Sequence, residues 1–487
     1  MSGAESPRPD PRCSRHRSST GRLEKLVLIH FGVLIVFTSW AFGGQAPWVR
    51  QVIAGWGAVG ILLFLAACWS HSKATGEHFH PVLRWLWPLL LYNVVVVAGC
   101  FNPSFKALVI AGEPSLVMGD PHPWLPSSAR PLLALRELWH FNVIVLSCFN
   151  LYLVLRNRRM VRAVLFILGI NAVGLAVFGT FQKLIGATQL WFGLVQPPNL
   201  KFFSTFIYPN HWGAFTLLNT AVCLALLHHF LRRGGQRDFW HSPVLLGVVG
   251  TLLLAATIPL CGSRSSTALT GLLLLGALTH FLQRLIRHRR ELRQSAALPA
   301  AGLILAAGLA LAAIGYLSRE VIAQRARLTS EQLASASQEG TLVSRVTLYR
   351  DTWRMAAEKP WFGWGLESYA HVFRIFNTQR TVETWWWIPF YARAHSDWLQ
   401  SLAEVGWVGT SLLALLVLLP LLAVRWRQVE SILPRYLLAG DGLVLLYAGL
   451  EFPFANSAVL MTFCATFCCA IRYAVLGLHV QEDETPR

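Results

Sequence analysis

Apolar runs of about 20 residues recur along this chain from end to end, each long enough to cross a hydrocarbon core of about 30 Å. Helices in a soluble all-helical protein carry polar faces, and most of these runs show none. Of the 487 residues 54% are hydrophobic and 14% charged, against about 25% charged in soluble domains. The expected fold is therefore all-α: a polytopic membrane protein of about twelve transmembrane helices. The spans read as 25–42, 51–69, 83–100, 137–155, 161–181, 211–231, 243–262, 266–283, 297–316, 400–424, 436–454 and 457–477.

The net charge of +18 invites a nucleic-acid partner, but the placement of the charges argues for topology instead. Basic clusters precede the first run (Arg8, Arg12, Arg15, Arg17, Arg22, Lys25) and punctuate the others: Arg156 to Arg162, Arg232 to Arg237, Arg284 to Arg293, Arg425 and Arg427. With twelve spans all of them fall on one side, which the positive-inside rule makes cytoplasmic. Both termini then lie on that side. The loops 101–135, 182–210 and 317–397 and the short turn GSRSS lie on the other. Membrane lipids are the expected surroundings, and no nucleic acid is expected.

The loop 317–397 departs from the charge rule. It carries Arg319, Arg325, Arg327, Arg345, Arg350, Arg354, Lys359, Arg374, Arg380 and Arg393. Loops longer than about 60 residues are translocated largely regardless of charge, so topology permits these residues without accounting for them. Within the loop, SRVTLYRDTWRMAAEKP has helical spacing and ends before Pro360. WFGWGLESYAHVF reads as a glycine-broken turn followed by a second helical piece. WWWIPFY (385–391) reads as an interfacial aromatic element.

The cysteines lie in or beside apolar runs, except Cys13 in the tail, and form neither a zinc spacing nor a disulfide framework. Residues 1–24, basic and rich in Pro and Ser, are expected to be a disordered tail. Residues 25–199 follow as N-terminal helices, 200–425 as a core that includes the large loop, and 426–487 as the last helices with a short tail.

Several outward residues suit chemistry. His395 stands just before the tenth span, and a histidine near pH 7 suits general-base work; an interfacial histidine bonding a lipid headgroup is the plain alternative. Asp397 and Glu404 follow it, and either could orient the imidazole. Arg264, in the tight turn between two apolar helices, can grip phosphate oxygens bidentately or snorkel to the interface. Arg345 and Arg350 suit the same task, or simple solvation on the loop surface. Asn210 and His211 sit with Tyr208 at the outer end of the sixth span, where Asn210 can also cap a helix. Asp441 and Glu451 fall in the eleventh span, near its inner and outer ends, and an intramembrane acid faces protein or water. No glycine-rich nucleotide loop, H-x-x-x-H pair or D-x-D pair is present, so no metal and no cofactor is expected.

These pieces together resemble the O-antigen ligase and polymerase family of bacterial membrane glycosyltransferases. His395, Ser396, nine residues, Gly406, two residues and Gly409 match the ligase pattern, within HSDWLQSLAEVGWVG. YPNHWGA (208–214), the turn Ser263–Arg264–Ser265 and the series from Arg345 to Gly365 match in order; Ser265 stands where the family often has glycine. The resemblance covers about 200–420. It implies an all-helical fold grouped with lipid-dependent glycosyltransferases. It also implies a glycan donor linked to undecaprenyl diphosphate, a lipid or glycan acceptor such as lipid A–core, and a site facing the periplasm at the inner membrane. Carried over, His395 is the base, Arg264 and Arg345 with Arg350 hold the diphosphate, and Asn210, His211, Asp397, Glu404 and Glu451 support them, without a metal. Ligase and polymerase are separated here only by the histidine–glycine spacing. A flippase or transporter of lipid-linked glycans and a non-catalytic envelope scaffold are the readings from other classes. A transporter is expected to carry polar groups through the membrane's depth and often repeated halves.

Overall fold

The computed structural model describes residues 11–76, 81–110, 113–198, 201–233, 242–317, 319, 323, 327, 341–378 and 390–484. The chain is an all-α polytopic membrane protein. Among the described residues, ten helices are long and apolar enough to cross a membrane. They are α1 (Pro11–Trp40), α2 (Pro47–Thr75), α4 (Pro131–Val154), α5 (Arg158–Leu184), α6 (Pro209–Arg233), α7 (Pro243–Cys261), α8 (Arg264–Glu291), α9 (Ala297–Leu317), α12 (Asp397–Ala423) and α14 (Ser457–Glu484). Two shorter helices, α3 (Trp87–Cys100) and α13 (Leu433–Tyr447), occupy the remaining two expected positions. At 1.5 Å per residue each is about 21–23 Å long, less than a full crossing. The loop between α9 and α12 carries α10 (Thr341–Glu358) and α11 (Tyr369–Phe376), the two helical pieces expected there.

Helix ends follow local chemistry. Asn157 caps α5 by accepting from the Met160 N–H at 2.9 Å, and Ser242 caps α7, whose first residue is Pro243. Gly262 ends α7 in the left-handed conformation. Ser263 is then the N-cap of α8, so that Arg264 opens that helix.

Helix α6 is the buried axis, with Trp212, Phe215, Leu218 and Val222 all inaccessible. Small residues let its neighbours close in. A side chain at Gly247 of α7 would meet the Leu227 backbone at 2.9 Å, and one at Gly440 of α13 would meet Ala221 at 2.5 Å. Such contacts drive helix association where both surroundings are apolar.

Two expectations change, and the first outer loop proves to hold regular structure. Residues 11–24, expected to be disordered, form the opening turns of α1: once an apolar span is helical, each further residue adds a hydrogen bond without a new nucleation cost. The loop 101–135 contains an antiparallel pair of strands, β1 (Phe105–Ile110) and β2 (Glu113–Met118), whose β-branched and apolar residues suit a strand. The eleventh span ends at Tyr447, and residues 448–456 form a turn with a short 3-10 segment at Pro453–Ala455. Of the aromatic run 385–391, residues 385–389 lie outside the described residues.

Helix α12 is broken at Gly406, with φ 64° and ψ −170°, a region open essentially to glycine alone. The backbone groups freed by the break bond to the segment after α10. Trp407 and Val408 N–H donate to the Pro360 and Trp361 carbonyls at 2.8 and 3.1 Å. In return Trp364 and Gly365 N–H donate to the Ala403 and Glu404 carbonyls at 3.0 and 2.7 Å. An alanine at 406 would put Cβ 2.4 Å from the Trp361 carbonyl carbon. Gly406→Ala is therefore expected to cost about 1–3 kcal/mol in strain alone. Gly442→Ala in α13, with nothing within 4 Å of the added atom, is neutral or slightly stabilising. Thermal unfolding of both variants in detergent checks the contrast.

Candidate functional site

The break in α12 positions what precedes it. Ser396 caps the helix by accepting from the Leu399 N–H at 3.3 Å. His395, one residue earlier, is left-handed at φ 53°, an uncommon conformation for a side-chain-bearing residue. Its surroundings hold it there: Tyr349 Oη donates to the His395 carbonyl at 2.9 Å, and the Asp397 N–H donates to the Ala448 carbonyl at 2.9 Å.

From this turn the imidazole faces Glu451. Nδ1 lies 3.6 Å from Glu451 Oε2, beyond a normal hydrogen bond but within ion-pair range. The ring packs edge-on to Phe452, centroids 4.9 Å apart. The carboxylate is 4% exposed and its Oε1 accepts from Arg345 Nη2 at 2.9 Å. The phenol of Tyr208 lies 3.5 Å from Oε2 and accepts from Asn210 Nδ2 at 3.0 Å. One buried acid thus gathers an imidazole, a guanidinium and a phenol. Burial alone would raise the Glu451 carboxyl. The contact with His395 and the Arg345 charge outweigh it and hold the carboxyl below its usual range. The same burial, with Glu451 alongside, pushes the Tyr208 phenol upward.

The other expected residues divide. Glu451 lies in the turn after α13, not within a span, and Asp441 lies at the middle of α13, where Oδ1 accepts from Thr466 at 2.6 Å. His211 is buried with both nitrogens engaged. Nε2 bonds the Phe452 carbonyl at 3.1 Å and Nδ1 meets Gln45 Nε2 at 3.0 Å, which requires a neutral Nε2–H tautomer. Asn210 sits in the first turn of α6 and bonds Tyr208 in place of a capping bond. Arg264 is exposed. Its neighbour Ser263 lies 3.3 Å from Tyr447 Oη, which donates to the Asn210 carbonyl at 3.4 Å, so the α8 N-terminus joins the Tyr208–Glu451 network.

Neither acid on α12 orients the imidazole. Asp397 Oδ2 accepts from the Phe454 N–H at 2.9 Å, which pins the turn carrying Glu451. Glu404 accepts from the Glu367 and Tyr369 N–H groups, both at 3.1 Å, and from Gln400 at 3.2 Å; it holds the 363–369 segment against α12. Arg350 is not brought to Glu451. Five residues past Arg345 on α10, it turns to Thr378 and Asp351 at 3.4 and 3.8 Å. Sequence reasoning missed Tyr349, Phe452 and Gln45, because a lone aromatic or amide carries no local mark of partners that come from segments distant in the chain.

The arrangement is that of a polytopic helical membrane protein with an imidazole–carboxylate–guanidinium cluster at one end of its bundle. Residues 249–414 match the family model described as O-antigen ligase, in agreement with the resemblance drawn from the motifs. The match supports an O-antigen ligase- or polymerase-like membrane enzyme. It spans Arg264, Arg345, His395, Glu404 and Gly406, whereas Asn210, His211 and Glu451 lie outside it. No curated protein matches the chain.

A carboxyl whose folded pKa lies below its unfolded value contributes fully above the unfolded value, about 4.3 for Glu, and loses that contribution as pH falls through the folded value. Glu451→Gln is therefore expected to lower the melting temperature by a constant amount between about pH 5 and pH 8, and the difference should shrink below about pH 4. Paired melting curves across that range check this.

Proposed function

We propose that the protein is an O-antigen ligase-type glycosyltransferase. It moves a glycan from undecaprenyl diphosphate to an acceptor hydroxyl, on lipid A–core or a similar molecule, at the periplasmic face of the bacterial inner membrane. The observation that carries this reading is the position of the buried Glu451 between His395 Nδ1 and Arg345. With Nδ1 turned to the carboxylate, Nε2 is the nitrogen available to a substrate, the arrangement of a general base with an orienting acid.

In this mechanism the acceptor O–H gives its proton to His395 Nε2 and its oxygen bonds to the anomeric carbon. The bond from that carbon to the diphosphate oxygen breaks, and undecaprenyl diphosphate leaves with the electron pair. A single displacement inverts the anomeric centre. Arg345 stabilises the leaving diphosphate: a guanidinium has five N–H donors, and the contact with Glu451 engages one of its nitrogens. Arg264 adds a second guanidinium from the α8 N-terminus. No step needs a metal, because the arginines supply the positive charge. Arg350, directed to Asp351 and Thr378, is given no part. A polymerase would use the same chemistry with a carrier-linked glycan as acceptor; the histidine–glycine spacing of α12 favours the ligase.

Transfer from a lipid-diphosphate glycan by purified protein tests this. His395→Ala, correctly assembled, is expected to lose about 10²–10⁴-fold in rate, and Arg264→Ala and Arg345→Ala to lose activity with weaker donor binding. Chelator should leave the rate unchanged. Full activity in His395→Ala would overturn the proposed base, and loss of activity with chelator would overturn the metal-free route. Cysteine labelling that put 317–397 in the cytoplasm would overturn the orientation.

A further inference from the structure

Helix α10 is apolar on two opposite sides, and the site uses only one edge of it. On the inward side Leu348 and Met355 belong to one buried cluster with Trp364, Tyr369 and Ala403. On the outward side Val346, Trp353 and Ala357 recur at helical spacing as a single stripe. Val346 is 68% exposed and Trp353 50%, and Ala357 is exposed with them. At about 100° per residue, Tyr349 and Arg345 edge the stripe on one side and Arg350 and Arg354 on the other, with Glu358 farther round.

The anchorage of α10 shows what this stripe borders. Its N-terminal half is tied to the turn after α13: Arg345 donates to Glu451 at 2.9 Å and Tyr349 Oη to the Leu450 carbonyl at 3.3 Å. Just past its C-terminus, the Pro360 and Trp361 carbonyls accept from Trp407 and Val408 of α12. The helix therefore crosses the ends of two membrane helices, and so runs along the membrane rather than out of it.

Depth follows from length. Beyond its break, α12 runs from Trp407 to Ala423, about 25 Å at 1.5 Å per residue, and the exposed Arg425 and Arg427 lie past its far end. Helix α13 runs from Leu433 to Tyr447, about 23 Å, with Arg435 exposed near its far end. Any tilt shortens both. A hydrocarbon core of about 30 Å, measured from those arginines, extends past Trp407 and Tyr447 to the level of Trp361 and Leu450. The side chains there agree. Trp407 is 49% and Trp361 66% exposed, Leu450 is exposed as well, and tryptophan is enriched at the head-group boundary.

We propose that α10 is an in-plane membrane helix, whose Val346–Trp353–Ala357 stripe rests on the upper acyl chains of the phospholipid leaflet at the site's end of the bundle. A helix with tryptophan on an apolar face and arginine beside it suits that position. Arg350 and Arg354, each more than half exposed, reach the lipid phosphates along its edge. Both also lie 3.8 Å from the buried Asp351, so the surface takes phospholipid in general, zwitterionic or anionic. The opposite edge keeps Arg345 on Glu451 and Tyr349 on the His395 carbonyl. The leaflet thereby holds the site's guanidinium at the head-group level. This seating does not rest on the transferase reading.

The full-length protein in phosphatidylcholine vesicles is irradiated with phosphatidylcholine that carries a diazirine either near the ester or at the end of one acyl chain, and the labelled residues are mapped by mass spectrometry. The near-ester label is expected on Val346, Trp353, Ala357 and Trp361. The chain-end label should favour Leu418, an exposed residue deep in α12. The near-ester map should be the same with phosphatidylglycerol and in intact membranes, and excess undecaprenyl diphosphate should leave it unchanged. Trp353→Asp should lower the label on Val346 and Ala357 about tenfold, equivalent to about 1.4 kcal/mol, without altering that on Leu418. The wild-type maps require no variant. Modification of the stripe by a water-soluble carbene reagent in place of the lipid probe would overturn the proposal. So would displacement of the label by undecaprenyl diphosphate, which would make this surface a donor site. Loss of the label in intact membranes alone would overturn it as well, by showing a protein partner on the stripe.

Discussion

The exchange of backbone hydrogen bonds at Gly406 is the constraint on which the site depends. A transmembrane helix cannot leave its amides and carbonyls unpaired in an apolar setting. The break in α12 is tolerated because the 360–365 segment supplies a partner to each freed group. The exchange is reciprocal, since α12 in turn pairs the N–H groups of a loop that has no ladder of its own. Gly363, at φ 65°, makes the same close approach from the loop side: a side chain there would reach the Glu404 carbonyl carbon at 2.4 Å. The loop bearing Arg345 and the helix led by His395 are thus fixed to one another before either meets Glu451.

The second constraint is the buried Glu451. An isolated carboxylate in such surroundings would take up a proton. Here Arg345 and His395 keep it ionised, and Tyr208 contributes its phenol. The three partners come from α10, from the segment before α12 and from the segment before α6, elements far apart in the chain. The acid therefore does two jobs at once: it ties three segments together, and it engages Nδ1 of His395, so that Nε2 is the nitrogen the proposed base would use. Asp397 supports both jobs at a distance, because its bond to the Phe454 N–H fixes the turn on which Glu451 stands.

The helices were legible because lipid imposes a long apolar period that few other structures produce. The position of Glu451 was not. EFPFANS follows an apolar run with only one charge, so length and hydropathy extend the span through it. The helix ends at Tyr447 for tertiary reasons, among them the Ala448 carbonyl accepting from Asp397. Arg345 and Arg350 show a finer limit. Five residues apart on a helix, they differ by about 140°; the spacing reveals that they face differently but not which one faces the site. In the sequence Gly406 and Gly409 stand only as the glycines of the ligase spacing, and small residues in an apolar helix are usually packing points. Only the partner loop, some forty residues upstream, makes Gly406 a break.

The strained turn at His395 acquires a purpose from this geometry. A histidine in regular extended backbone would share a face with Arg393 and Asp397. The left-handed conformation separates it from them, at a cost of about 1–2 kcal/mol, and aims it at a carboxylate that also holds a guanidinium. Such strain persists only where neighbours over-determine it. Here the Tyr349 hydroxyl, the Ser396 cap and the Ala448 carbonyl do so from three elements.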